Sequence, residues 1–233
     1  MKKITIAIFM LLSYFSIASA ELGINIGVSA QLGIMEGSGS EGSTAVASER
    51  ETSETKETLF AMGSYFAELE LGFLPGPLKR ITLGYDNIAH DIEFDSSSNV
   101  GQAEGNSATG ANSADINFHN KVSATIDGFE TLYATVRLTD WLYVKGGQLT
   151  VDVKTTESLN SSDNSYGNAS LDGTLMGVGL HHESDNGLFF RVEWNDYKID
   201  GVTLASLGTT SNRSVTLNES SGQTGRISVG KAF

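Results

Sequence analysis

From residue 22 the chain alternates. Leu22, Ile24, Ile26, Val28, Ala30, Leu32 and Ile34 take every second position, and Gly23, Asn25, Gly27, Ser29, Gln31 and Gly33 lie between them. Side chains of a strand point to its two faces in turn, so this spacing gives one apolar face and one small or polar face; a helix would scatter the same residues around its circumference. The apolar face must meet either a protein core or lipid.

The same alternation returns along the chain, and the lengths of the connections decide between these two. A polar segment over roughly residues 36–57 leads to a strand with Ala61, Gly63, Tyr65, Ala67, Leu69, Leu71 and Phe73 on one face, closed by the short turn Leu74-Pro75-Gly76-Pro77. Strand 3, with Ile81, Leu83 and Tyr85 outward, enters a second polar segment over about 95–115. Strand 4 returns with Leu132, Ala134, Val136 and Leu138 outward and turns at Thr139-Asp140. Strand 5 starts at Trp141, a third polar loop covers about 155–170, and strand 6 offers Met176, Val178 and Leu180. After the turn Ser184-Asp185-Asn186-Gly187, strand 7 carries Leu188, Phe190, Val192 and Trp194; a fourth loop spans about 200–221, and the last strand ends at Phe233. Strict alternation of long and short connections is the asymmetry of an up-and-down barrel across an outer membrane, with long loops outside and short turns in the periplasm. Eight strands are expected. In strand 5, Val144 is out of phase with Leu149, Val151 and Val153, which suggests a bulge at Gly146-Gly147. The length of 116–138 leaves room for an extra hairpin and ten strands.

The N-terminal segment and the composition agree with this address. Lys2 and Lys3, the apolar run from Ile4 to Leu12 and the small end Ala18-Ser19-Ala20 have the order of a cleaved secretory signal, so residues 1–20 are expected to be removed and 21–233 to form the barrel. No later segment has the roughly 18 apolar residues that a spanning helix needs. There is no Cys, which excludes disulfides and thiolate sites. Loss of Lys2 and Lys3 takes the net charge from −13 to −15, so a nucleic acid is not an expected partner.

The strand pattern, the stretch Thr131 to Val144 around a tight turn, and the ending Ile227-Ser228-Val229-Gly230-Lys231-Ala232-Phe233 together resemble the small outer-membrane β-barrels of the opacity-protein and OmpA-transmembrane-domain type. The resemblance covers residues 21–233. It implies Gram-negative outer-membrane residence among lipid and lipopolysaccharide, and recognition of the last strand, with Phe233 as signal, by the barrel assembly machinery. Lys231 departs from the apolar or aromatic residue usual at that place and is expected to snorkel to the headgroups. The cell-wall-binding domain that follows the barrel in longer relatives has no counterpart in the chain, so attachment to the cell wall is not implied.

Charged residues inside the strands are the most informative chemically. Counted from the outward sets, Glu68, Glu70, Asp86 and Glu193 point inward, as do Arg137, Lys145, Arg191 and Arg226. The interior of an eight-stranded barrel is just wide enough for side chains to fill. Four acids and four bases there are expected to pair as an ion-pair plug rather than form an ion path or a catalytic carboxylate pair.

Other clusters point less clearly to chemistry. His181-His182-Glu183 resembles a metal or acid/base set, but neighbouring strand residues face opposite ways and the two imidazoles cannot easily share an ion. His90-Asp91 near the outer rim has the residue types of a protease mouth without a second carboxylate pair. The loop acids Glu36, Glu41, Glu49, Glu51, Glu54 and Glu57 are candidates for divalent cations bridging lipopolysaccharide, or are simply solvated. Tyr65, Phe73, Tyr85, Phe129, Trp141, Tyr143 and Trp194 are expected to form interfacial girdles. The resulting expectation is a non-enzymatic outer-membrane barrel, without metal or cofactor, serving as envelope component or as adhesin or receptor for an unknown surface ligand through its acidic loops. The rivals are a narrow channel for small solutes and a rim-site enzyme.

Overall fold

The computed structural model describes residues 23–43, 52–88, 92–93, 99–102, 119–158, 166–205, 207 and 213–233. The signal segment 1–20 and His90-Asp91 lie outside them, as do Glu49 and Glu51. Eight strands form the wall: β1 Gly23–Ser43, β2 Thr52–Glu70, β3 Ile81–Ile88, β4 His119–Arg137, β5 Leu142–Ser158, β6 Ala169–Glu183, β7 Leu188–Ile199 and β8 Ser220–Ala232. Each pairs antiparallel with the next. The sheet closes because β1 also pairs with β8, from Asn25↔Ala232 to Glu36↔Ser221. The chain is therefore a transmembrane antiparallel up-and-down barrel of eight strands.

The wall is apolar outside. Ile26, Val28, Leu132, Val178, Phe190 and Ile227 are all exposed, and exposed apolar residues recur around the circumference, far beyond the few hundred Å² of apolar patch usual on a soluble monomer. Among the described residues no helix is long and apolar enough to cross a membrane.

The short connections gather at one end. At β6–β7, Asn186 Oδ1 accepts from the Leu188 N–H at 3.0 Å, and Gly187 takes φ +78°, open to glycine without strain. The Ala232 N–H donates to Gly187 O at 2.8 Å and the Phe233 N–H to Ile24 O at 3.0 Å, so the chain end is stitched to this turn and to β1. Lys231 Nζ donates to Asn186 O. Its side chain thus reaches back to the carbonyl of the β6–β7 turn.

Several expectations need correction. The first loop is shorter than read, because β1 and β2 continue past the wall, and the fourth, between Ile199 and Ser220, holds two short strands of its own. The β1–β2 ladder runs on to Glu41↔Thr52, and Gly39–Ser43 of β1 pairs with residues 213–217, of which 214–217 pair in turn with Val202–Ala205. Backbone hydrogen bonding, rather than apolar alternation, carries these polar extensions. The long segment before Leu138 is one 19-residue strand, so the ten-strand alternative falls. No bulge occurs at Gly146-Gly147, where Gly146↔Met176 and Gly147↔Leu175 continue the ladder without a break; the register shift is in β4, between Ile126 and Gly128. Leu149, Val151 and Val153 are in phase and point inward, because the outer half of the lumen is apolar.

Candidate functional site: the filled lumen

Inward positions of adjacent strands stack into two layers. Toward the end bearing the longer connections, Phe60, Met62, Phe129, Leu149, Val151, Leu175 and Tyr197 belong to one buried apolar cluster. Phe129 meets Tyr197 edge-on, centroids 5.8 Å apart. Phe129 and Tyr143 are thus interior rather than girdle residues, whereas Tyr65, Phe73, Trp141 and Trp194 are exposed on the outer wall.

Toward the short-turn end lies the ion-pair layer, and it contains all eight charged residues singled out from the sequence. Arg191 of β7 holds Glu68 of β2 at two points, Nη1 to Oε1 at 2.5 Å and Nη2 to Oε2 at 2.8 Å. Arg226 of β8 lies between two acids: Nη2 pairs with Asp86 Oδ2 and Nε with Glu193 Oε2 at 3.1 Å. Lys145 Nζ reaches Glu193 Oε1 at 3.4 Å. These three acids and three bases are buried and balance in charge. Arg137 and Glu70 pair at 2.6 Å and are only half-buried.

Neutral groups complete the shell. Tyr133 and Tyr143 each donate a hydroxyl at 2.8 Å, to Glu68 Oε1 and Glu193 Oε1 respectively. Asn25 Nδ2 spans Glu68 at 3.2 Å and Glu70 at 3.1 Å. Arg191 Nε donates to His181 Nδ1 at 2.9 Å, which places the ring proton on Nε2, 3.4 Å from Glu183 Oε2. Cations also lie over rings, Lys145 4.0 Å from the Tyr133 centroid and Arg191 4.5 Å from that of Phe189. Among the described residues every buried charge therefore meets an opposite charge, the condition for tolerating burial.

Glycines make the room. A Cβ on Gly84 would strike the Tyr133 ring, one on Gly179 the Tyr143 ring, and one on Gly27 the Phe66 ring. Large side chains on one strand thus lie over bare backbone on another. Counting inward charges did not identify Asn25, Tyr133, Tyr143 or His181 as members of the site, although each has the inward parity of its strand and could have been found from it.

The layer is a charge-balanced network of paired groups. His181 is held by Arg191, while His182 is on the outward parity, as alternation requires; no cluster suited to a metal occurs among the described residues. Of the loop acids, Glu36 and Glu57 are exposed on the outer wall, and Glu41 and Glu54 lie in strands. Phe233 ends the ladder with its ring exposed.

No family model matches the chain, and no curated protein matches it. Among solved structures it is similar to the outer membrane protein OprG from Pseudomonas aeruginosa, at 11% identity over 91% of this chain and 97% of that one, with a TM-score of 0.44. Outer membrane protein AlkL is similar at 12% identity over 93% and 92%, TM-score 0.47. The outer membrane protease OmpT from Escherichia coli follows at 11% over 92% and 99%, TM-score 0.42. The chain's own closed ladder, rather than these distant likenesses, establishes the eight-stranded transmembrane barrel.

Proposed function

We propose that this is a non-enzymatic integral protein of the Gram-negative outer membrane, in which a closed barrel anchors extracellular hairpins that act in envelope integrity, adhesion or reception. The observation that carries this reading is the filled lumen: a charge-balanced layer at one end and an apolar layer at the other. Water and ions find no favourable path through stacked Phe129, Leu149 and Tyr197. The apolar belt supports residence in lipid and lipopolysaccharide, and the tethered β8 supports handling by the barrel assembly machinery. The wall extensions at Gly39–Ser43, 213–217 and Val202–Ala205 hold backbone above the rim where a surface ligand can reach it.

Two measurements test the proposal. The purified protein runs faster unboiled than boiled on an SDS gel, because a closed barrel has no edge at which unfolding starts. In planar bilayers it conducts poorly or not at all. Equal mobility in both lanes would remove the barrel, and large steady wild-type currents would replace the anchor with a channel.

A further inference from the structure

The outer wall carries a depression of about 520 Å³, within the size range of pockets that take small molecules, roughly 300–1,000 Å³. Its floor is formed by β8, where a Cβ on Gly225 would meet nothing within 4 Å. Leu32, Ile34 and Leu59 line one side and Trp194 the other.

The register fixes its polarity. One row across the strands runs Ala61, Leu32, Gly225, Trp194; the next, Leu59, Ile34, Gln223, Asp196; the next, Glu57, Glu36, Ser221, Lys198. The trough is thus apolar at mid-wall and net acidic toward the long-connection end, where Glu36, Glu57 and Asp196 outnumber Lys198. Glu36 and Glu57 face each other directly, where cross-strand like charges repel. Among the described residues neither they nor Asp196 has a basic ion-pair partner.

We propose that this trough binds a single-chain amphiphile with a cationic head, its alkyl chain between Leu32 and Trp194 and its ammonium or guanidinium group at Glu36, Glu57 and Asp196. The head then relieves the facing carboxylates while the tail covers apolar wall that has no complementary surface in the protein. An anionic head meets repulsion from the same three groups. The inference takes from the proposed function only that the outer wall is immersed in lipid or detergent.

The chain has two tryptophans, so Trp141→Phe leaves Trp194 as the sole reporter. This variant, folded in neutral-detergent micelles, is titrated with an alkylammonium carrying a nitroxide on its chain, and separately with the chain-matched alkyl sulfate. Saturable quenching by the ammonium alone is expected. Glu36→Gln, Glu57→Gln and Asp196→Asn together are expected to weaken it about tenfold. Trp141, watched in a Trp194→Phe protein, is expected to show only linear partitioning; this separates the trough from general attraction to an acidic protein. Unboiled gel mobility confirms that each variant is folded and tests the barrel independently. Equal quenching by both heads, a saturable signal at Trp141, no saturation at Trp194, or an unchanged triple variant would each overturn the proposal.

Discussion

Arg191 and Glu68 join opposite walls of the lumen through two parallel contacts, Nη1 to Oε1 at 2.5 Å and Nη2 to Oε2 at 2.8 Å. Glu68 is buried, and loss of the guanidinium leaves its charge with only the Tyr133 hydroxyl and the Asn25 amide. Arg191→Ala is expected to cost about 3–5 kcal/mol, as is Glu68→Ala, measured by urea unfolding of the protein in lipid vesicles. The double variant Arg191→Met/Glu68→Leu is expected to lose less than either single one, because replacing a whole buried pair with apolar groups removes its desolvation cost too. Losses that simply add would mean the two residues act independently.

The fit between Gly84 and Tyr133 gives a second expectation. Gly84→Ala puts a methyl group against the Tyr133 ring and levers its hydroxyl from Glu68, at a cost of about 1–3 kcal/mol. Gly225→Ala projects outward into open space and is expected to be neutral in the same unfolding assay. Similar losses at both sites would show that strand glycines matter here for backbone reasons rather than for room.

Parity made much of this molecule legible. Once Leu83 and Tyr85 are outward, Asp86 must be inward, and the same step places Glu68, Lys145, Arg191 and Glu193; the lumen charges follow without knowledge of any contact. Which acid meets which base does not follow, since pairing depends on barrel stagger and not on strand pattern: Arg226 serves both Asp86 and Glu193. Alternation also misled where the apolar face changes sides along one strand, as in β5, whose outward positions beyond Val144 are Gly146, Gln148, Thr150 and Asp152. In β5 the outward Val144 gives way to inward Leu149, Val151 and Val153, and the change looks like a slipped register although the strand is regular. The polar hairpin extensions were hidden for the opposite reason, because Gly39–Ser43 has no apolar face to reveal it as a strand.

Phe233 separates assembly from stability. Its ring is exposed, while its N–H holds Ile24 O, a bond that Phe233→Ser retains. The substitution is expected to lower the amount of protein in the outer membrane without reducing export and without changing the unfolding free energy of the molecules that do fold. Fractionation followed by urea titration checks both parts. Normal membrane levels would remove the terminal aromatic as an assembly signal, and a matched fall in stability would give it a packing role instead.

Asn195 is fully buried, and neither Nδ2 nor Oδ1 has a hydrogen-bond partner within the protein. It lies on β7 between Glu193 of the ion-pair layer and Tyr197 of the apolar layer, opposite Gly177 and Thr224. An unpaired buried amide costs roughly 1–3 kcal/mol, so this side chain is a liability where it stands. Asn195→Val removes both polar atoms, keeps a compact shape and supplies the branching that strands favour. The variant is expected to be as stable as the parent, or more stable by about 1 kcal/mol, in urea unfolding. A loss of similar size would show instead that an ordered internal water, held between the two layers, satisfies the amide and that the lumen is wet at this one level.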